Sequence, residues 1–304
     1  MRPFAVWTFY GVVVTCASAL CAHFIAPQAI GSGIPEMKTV LRGIILKEYL
    51  TVRTLISKMI ALSLSIGGGL PVGREGPFVH IASVVANQLS RFVHGSKGVF
   101  ENESRAGEML AAGCAVGVAC TFSAPVGVSM SVAAHYQTTF PLSDTFTSSE
   151  LLFFAVMGHT LHDFFVSCSW LENTNNSHSC GSKEPFIRAN WAGPDNNINI
   201  FHSLAAFQVA YFFLSIIAST LPVPAGIFMP VFVIGAAFGR TVGELLRLNY
   251  PNGVIEGILA TRVHPGIYAV AGAAAFCGAV THTVSVAVIV FELTGQLVLL
   301  IPVM

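Results

Sequence analysis

Gly73-Arg74-Glu75-Gly76-Pro77 heads an apolar run that continues Phe78-Val79-His80-Ile81-Ala82, and two similar turns stand elsewhere: Gly31-Ser32-Gly33-Ile34-Pro35 and Gly226-Ile227-Phe228-Met229-Pro230. Each opens a stretch that reads as a membrane helix. Glycine allows the chain to turn without a Cβ penalty, and proline is tolerated in a first helical turn, where its missing N–H had no intrahelical partner. The remaining amides point out of the helix start, which carries about half a positive charge and binds an anion without a full cation in the bilayer. Three such turns in hydrophobic sequence predict an anion site inside a membrane.

Composition agrees with that setting. Hydrophobic residues make up 54% of the 304 and charged residues 10%, against about 25% charged in soluble domains; the mean hydropathy is +0.70. Fifteen basic and fifteen acidic residues cancel, and the basic ones lie in short clusters rather than a patch, which argues against a nucleic-acid partner. The run Phe4 to Ala26 is long enough to span and has no cleavage site followed by a soluble domain, so it reads as a helix, not a signal peptide.

Apolar segments recur at about 4–26, 48–66, 77–93, 107–134, 150–168, 200–221, 230–248 and 266–301, the last long enough for two passes. Several are short or broken by glycine. Helices that start or stop at mid-membrane are tolerated only where their backbone is buried in protein or lines a cavity, and the breaks coincide with the three turns. Lys38, Arg42, Lys47, Arg53 and Lys58, with Arg91, Lys97 and Arg105, mark two loops as cytoplasmic by the positive-inside rule. The stretch 169–199 is polar and reads as an exposed loop. Cys168 and Cys180 flank Asn175-Asn176-Ser177, so a disulfide-closed loop glycosylated at Asn175 is one reading of this region. Cys16, Cys21, Cys114, Cys120 and Cys277 lie in apolar runs and read as packing.

The two halves share a weak repeat. Gly73 to Pro77 with its apolar run matches Gly226 to Pro230 with Val-Phe-Val-Ile-Gly, and Ala111-Ala-Gly-Cys-Ala-Val-Gly matches Val270-Ala-Gly-Ala-Ala-Ala-Phe. Repeats with interrupted helices in matching positions indicate a binding site near the membrane midplane.

Each feature has a plainer rival. Glu75 would pair with Arg74 at a membrane surface, Ser32 would serve as an N-cap, and Phe228 would face lipid. Gly67-Gly-Gly-Leu-Pro-Val-Gly73 lacks the Gly-Lys-Ser/Thr of a nucleotide loop. His159 and His162, beside Asp163, have no third clear ligand, so no metal is expected. No cofactor is implied, and no nucleophile–base constellation points to an enzyme.

Taken in order, Gly31-Ser-Gly-Ile-Pro-Glu36, Gly73-Arg-Glu-Gly-Pro77, Gly226-Ile-Phe-Met-Pro230 and Thr281-His-Thr-Val-Ser-Val-Ala-Val-Ile-Val-Phe-Glu-Leu-Thr-Gly295 closely resemble the CLC chloride channels and proton-coupled chloride transporters, over residues 1–127 and 201–304. Gly-Ser-Gly-Ile-Pro-Glu-Met-Lys and Phe-Val-His-Ile-Ala-Ser resemble the animal plasma-membrane channel branch. The resemblance implies an all-α integral membrane fold of tilted, partly discontinuous helices in two inverted-topology repeats. It implies that the Ser32 hydroxyl and the amides of Ile227 and Phe228 bind chloride, that Glu75 is the gate, and that the chain forms a homodimer.

The departures are as informative. After Ser123-Ala-Pro-Val-Gly127 the family carries Gly-Gly-Val-Leu-Phe-Ser-Ile-Glu, but here Val128-Ser-Met-Ser-Val-Ala-Ala-His-Tyr stands. Exchangers place their internal proton-accepting glutamate there, and no acidic residue lies between Glu108 and Asp144. Residues 128–200 therefore read as a rewritten, shortened middle. The resemblance also implies an incomplete fold, entered at the family's second helix, ending before its last helices and lacking the cytoplasmic tandem domains. A passive chloride channel subunit is the leading expectation; an exchanger, or a non-conducting form that only associates with full-length subunits, are its rivals.

Overall fold

The computed structural model describes residues 2–44, 46, 48–96, 103–122, 163–166, 169–170, 191–192, 199–250, 263–282 and 285–294. Among them the regular structure is helical, apart from one isolated bridge between Gly73 and Gly226. In chain order the helices are α1 (Arg2–Ile25), α2 (Ile34–Leu41), α3 (Val52–Gly67), α4 (Glu75–Ser96), α5 (Glu103–Phe122), α6 (Ile200–Thr220), α7 (Phe228–Asn249), α8 (Pro265–Thr281) and α9 (Ser285–Thr294). Ala5–Ile25, Ile200–Thr220 and Phe228–Asn249 are long and apolar enough to cross a bilayer, and Gly107–Phe122 and Pro265–Thr281 are shorter apolar helices. Exposed Trp7, Phe9, Tyr10 and Phe24 on α1, and Phe212, Phe213, Ile216 and Ile217 on α6, form the apolar outer faces that lipid covers.

Three expectations need correcting. The stretch 169–199 is not an exposed loop throughout: Ser169, Trp170, Trp191 and Ala192 are buried, because the two tryptophans stack on each other and pack on Phe164. The first turn does not open a membrane helix: α2 has 8 residues and carries Glu36 and Lys38, too short and too polar to span. Lys58 does not belong to a cytoplasmic loop. It lies within α3 and is 1% exposed, because Val52–Gly67 folds as one helix and takes the lysine inside. Cys168, Cys180, Asn175, His159 and His162 fall outside the described residues.

The chain divides into two compact units, Met1–Ser149 with Leu214–Pro230, and Glu150–Phe213 with Val231–Met304. In the first, α1 packs on α3, where the Ser18 hydroxyl donates to the Ala61 carbonyl at 2.6 Å. Helix α5 lies against α4 through Gly113 and Gly117, at which a Cβ would press on Ala86, Ala82 and the Val79 backbone. In the second unit, Gly235, Gly239 and Gly243 recur every fourth residue along α7 and face α8, where Gly272 reciprocates. Small residues at this spacing let two helix backbones touch, which is how helices associate without a hydrophobic driving force.

A Cβ at Gly239 would overlap the Tyr268 carbonyl and reach the Ala269 Cα at 3.0 Å, so backbone rather than a flexible side chain would have to move. Gly239→Ala is expected to cost roughly 1–3 kcal/mol. Heating the protein in detergent and following loss of the monodisperse peak checks this; an unchanged midpoint would remove the close crossing.

Candidate anion site

The three turns meet within the first unit. Gly73 and Gly226 exchange a pair of backbone hydrogen bonds, Gly73 N–H to Gly226 O at 2.7 Å and Gly226 N–H to Gly73 O at 2.8 Å. This two-residue ladder sets the start of α4 beside the start of α7. The Gly31 N–H donates to the Val223 carbonyl at 3.2 Å, tying the first turn to the chain entering the third. Val72, Ala218, Val223 and Ala225 make the apolar cluster beneath, with Ala19, Leu70 and Leu221 packed on it. Phe122, ending α5, meets Phe228 edge-on at 4.9 Å.

Glycine is required here for proximity as much as for turning. A Cβ on Gly76 would fall on the Ser32 hydroxyl, and one on Gly226 would reach the Gly73 carbonyl at 2.9 Å and the Gly76 nitrogen at 3.3 Å. Gly31 and Gly33 have φ of 80° and 87°, the left-handed region that side chains avoid. Pro35 sits in the first turn of α2 and Glu36 caps its positive start with charge.

Glu75 is the first residue of α4 and is 6% exposed. Its carboxylate folds back over Gly73, into the space a Cβ there would take. It draws backbone hydrogen bonding from the Arg74 and Glu75 amides, while its Oε2 has no partner among the described residues. Arg74 is half-buried, and its charge acts on the neighbouring Glu75 carboxyl. The burial of Glu75, at 6% exposure, argues against a pair at an exposed surface and leaves its carboxyl at a helix start. Pro77, Gly73, Gly226 and Pro230 are buried, Met229 and Phe228 half-buried, and the Ile227 and Ile34 side chains exposed. At Ile227 only the backbone can contribute to the site.

Lys58 was not singled out by sequence reasoning as part of a site. Its Nζ donates to the Gly31 carbonyl at 3.1 Å and lies 3.5 Å from the Ser32 carbonyl. The signal was present: a lysine inside an apolar run is a functional candidate by default. In a trans peptide the C=O and the next N–H point opposite ways. Holding the Gly31 and Ser32 carbonyls at the back aims the Ser32 and Gly33 amides forward, beside the Ser32 hydroxyl. Forward-facing amides, a hydroxyl, two further helix starts and the buried Lys58 amine behind them are groups able to receive a small, weakly basic anion. No group of three metal-ligating side chains occurs among the described residues.

The family model described as voltage gated chloride channel matches residues 12–175 and 151–304. The chain belongs to the voltage gated chloride channel family. Chloride channel protein clh-3 of Caenorhabditis elegans is 47% identical over 99% of this chain and 42% of its own length. Chloride channel protein 2 of Homo sapiens is 37% identical over 100% of the chain and 45% of its own. This CLC chain thus spans less than half the length of the curated relatives it matches. A crystal structure of a eukaryotic CLC transporter superposes with a TM-score of 0.67 at 33% identity, covering 99% of this chain and 62% of that one. A slow cyanobacterial Cl-/H+ antiporter, 17% identical with a TM-score of 0.62, shares the fold. The chain is a multi-pass, all-α membrane protein of the CLC fold. The match to clh-3 runs over 416 positions against 304 residues here, so at least 112 positions of that stretch have no counterpart. The family model itself is met in two pieces that overlap at 151–175, within the shortened middle that the sequence predicts.

Proposed function

We propose that this chain is a subunit of a plasma-membrane chloride channel, passing the ion down its gradient, with the Ser32 hydroxyl and the Ile227 and Phe228 amides as ligands and Glu75 as gate. The observation that carries the reading is the buried Glu75 carboxylate, lying at the start of α4 where the other two turns converge. A carboxylate there competes with a mobile anion for the same positive helix start, and releasing it opens the site. The chloride channel proteins among the relatives support passive conduction. The resemblance to a eukaryotic CLC transporter and the presence of Glu75 favour exchange as the second reading; the lack of acidic residues between Glu108 and Asp144 weighs against it.

Chloride efflux from liposomes holding the purified chain, read with a pH electrode, separates these. The expected result is chloride release without stoichiometric proton movement. Protons moving in fixed ratio to chloride would establish the exchanger, and no release from correctly inserted protein would leave only association with other subunits.

A further inference from the structure

Behind the first turn lies a pair of rings that the anion-site reading does not use. Tyr49 precedes α3 and His80 lies on α4; they are 6% and 0% exposed, and their rings stack at 4.0 Å and 10°. His80 Nε2 is 3.2 Å from the Tyr49 carbonyl; since a carbonyl only accepts, Nε2 carries the hydrogen. The Tyr49 hydroxyl donates to the Gly33 carbonyl at 3.3 Å. That carbonyl also accepts the Met37 N–H at 3.0 Å, the opening bond of α2.

Gly76 and His80 are four residues apart, on one face of α4. Ser32 rests against Gly76, and Gly33 rests against His80, where a Cβ would come within 2.8 Å of the His80 Cβ and 3.0 Å of the Tyr49 hydroxyl. The first turn is thus seated on two successive turns of α4. Tyr49 pins the Gly33 carbonyl to the rear, which turns the Ile34 amide of the same peptide forward. We propose that the stacked Tyr49–His80 pair is a positioning element for the Ser32 turn, setting its standoff from the start of α4 and so which anions the site holds. The inference rests on Ser32 and the neighbouring amides being anion ligands.

The test uses the purified full chain in detergent, melted in chloride and in gluconate at equal ionic strength, then in bromide, nitrate and iodide. An anion bound only by the folded protein raises the midpoint by mass action. Tyr49→Phe keeps the stack and removes the hydroxyl, with its bond to the Gly33 carbonyl and its hydrogen bonding with the Glu36 side chain. It is expected to weaken chloride about fivefold, the size of one hydrogen bond, and to narrow the preference for chloride over iodide, with the gluconate midpoint little changed. His80→Phe keeps a ring without the bond to Tyr49 and is expected to shift the anion order in the same direction. Variants that lower the gluconate midpoint yet keep the native chloride increment and anion order would show packing alone and overturn the proposal. A native chain with no chloride increment would overturn the anion-site reading itself, and this inference with it.

Discussion

Replacing Glu75 by glutamine is expected to make anion flux through this chain insensitive to pH and to raise it about tenfold or more at neutral pH. In the native protein the carboxyl sits on the Arg74 and Glu75 amides at the head of α4, where, on the function proposed above, an incoming anion has to displace it. A hydrogen bond to a charged group is worth roughly 1.5–3 kcal/mol against about 1 for a neutral one. Neutralising the side chain thus shifts the competition by about 0.5–2 kcal/mol per bond, roughly two- to thirtyfold, toward the mobile ion. On that proposal, lowering pH protonates the carboxyl, weakens its hold and is expected to raise native flux. Glutamine has nearly the same shape and no charge at any pH, so it fixes the high-flux state. Glu75→Ala, which clears the space over Gly73 altogether, should behave alike. Initial chloride efflux from proteoliposomes across acid to neutral pH is the measurement, and a glutamine variant that keeps the native pH profile would remove Glu75 from gating.

Much of this was legible in the chain, and for identifiable reasons. The turns at Gly31, Gly73 and Gly226 are visible because glycine and proline are demanded by backbone geometry that few other residues satisfy. The expected segments at 4–26, 48–66, 77–93, 200–221 and 230–248 correspond to α1, α3, α4, α6 and α7, since a bilayer writes a long apolar signature. What pairs with what was not legible. The Gly73–Gly226 bridge joins residues 153 positions apart, and no local pattern encodes a partner at that distance. Lys58 was assigned by its charge to a surface, when its position midway along α3 placed it under the Ser32 turn. Nothing in the sequence singles out Tyr49 and His80, because stacking depends on a neighbour that only the fold supplies. The brevity of α2 was legible in principle, since Glu36, Lys38 and Arg42 follow Pro35 closely.

The second large effect lies on α7. Glu244→Met is expected to destabilise the protein by roughly 3–5 kcal/mol, the scale of an uncompensated buried charge, and to deplete it from the membrane fraction. Arg240 and Glu244 stand one turn apart, both at 0% exposure, and pair at 2.8 Å. Glu244 also accepts from the Ser169 hydroxyl at 2.6 Å and the Trp170 amide at 3.0 Å. Arg240 reaches the Phe164 carbonyl at 3.1 Å and the Val166 carbonyl, with its guanidinium 4.5 Å over the Trp170 ring. Removing the glutamate takes the paired carboxylate from Arg240, with Asp163 the acidic neighbour that remains, and takes this acceptor from the Ser169 hydroxyl and the Trp170 amide. Arg240→Met strands the glutamate instead, and is expected to cost about as much. The double variant buries neither member of the pair, so its loss should fall well below the sum of the two singles. Thermal melting of the three variants in detergent closes that cycle. Additive losses would mean that the two groups act independently. A double variant close to native stability would mean that this charge pair adds little to the fold, and that its place on α7 fixes segment 163–170 rather than strengthening the whole.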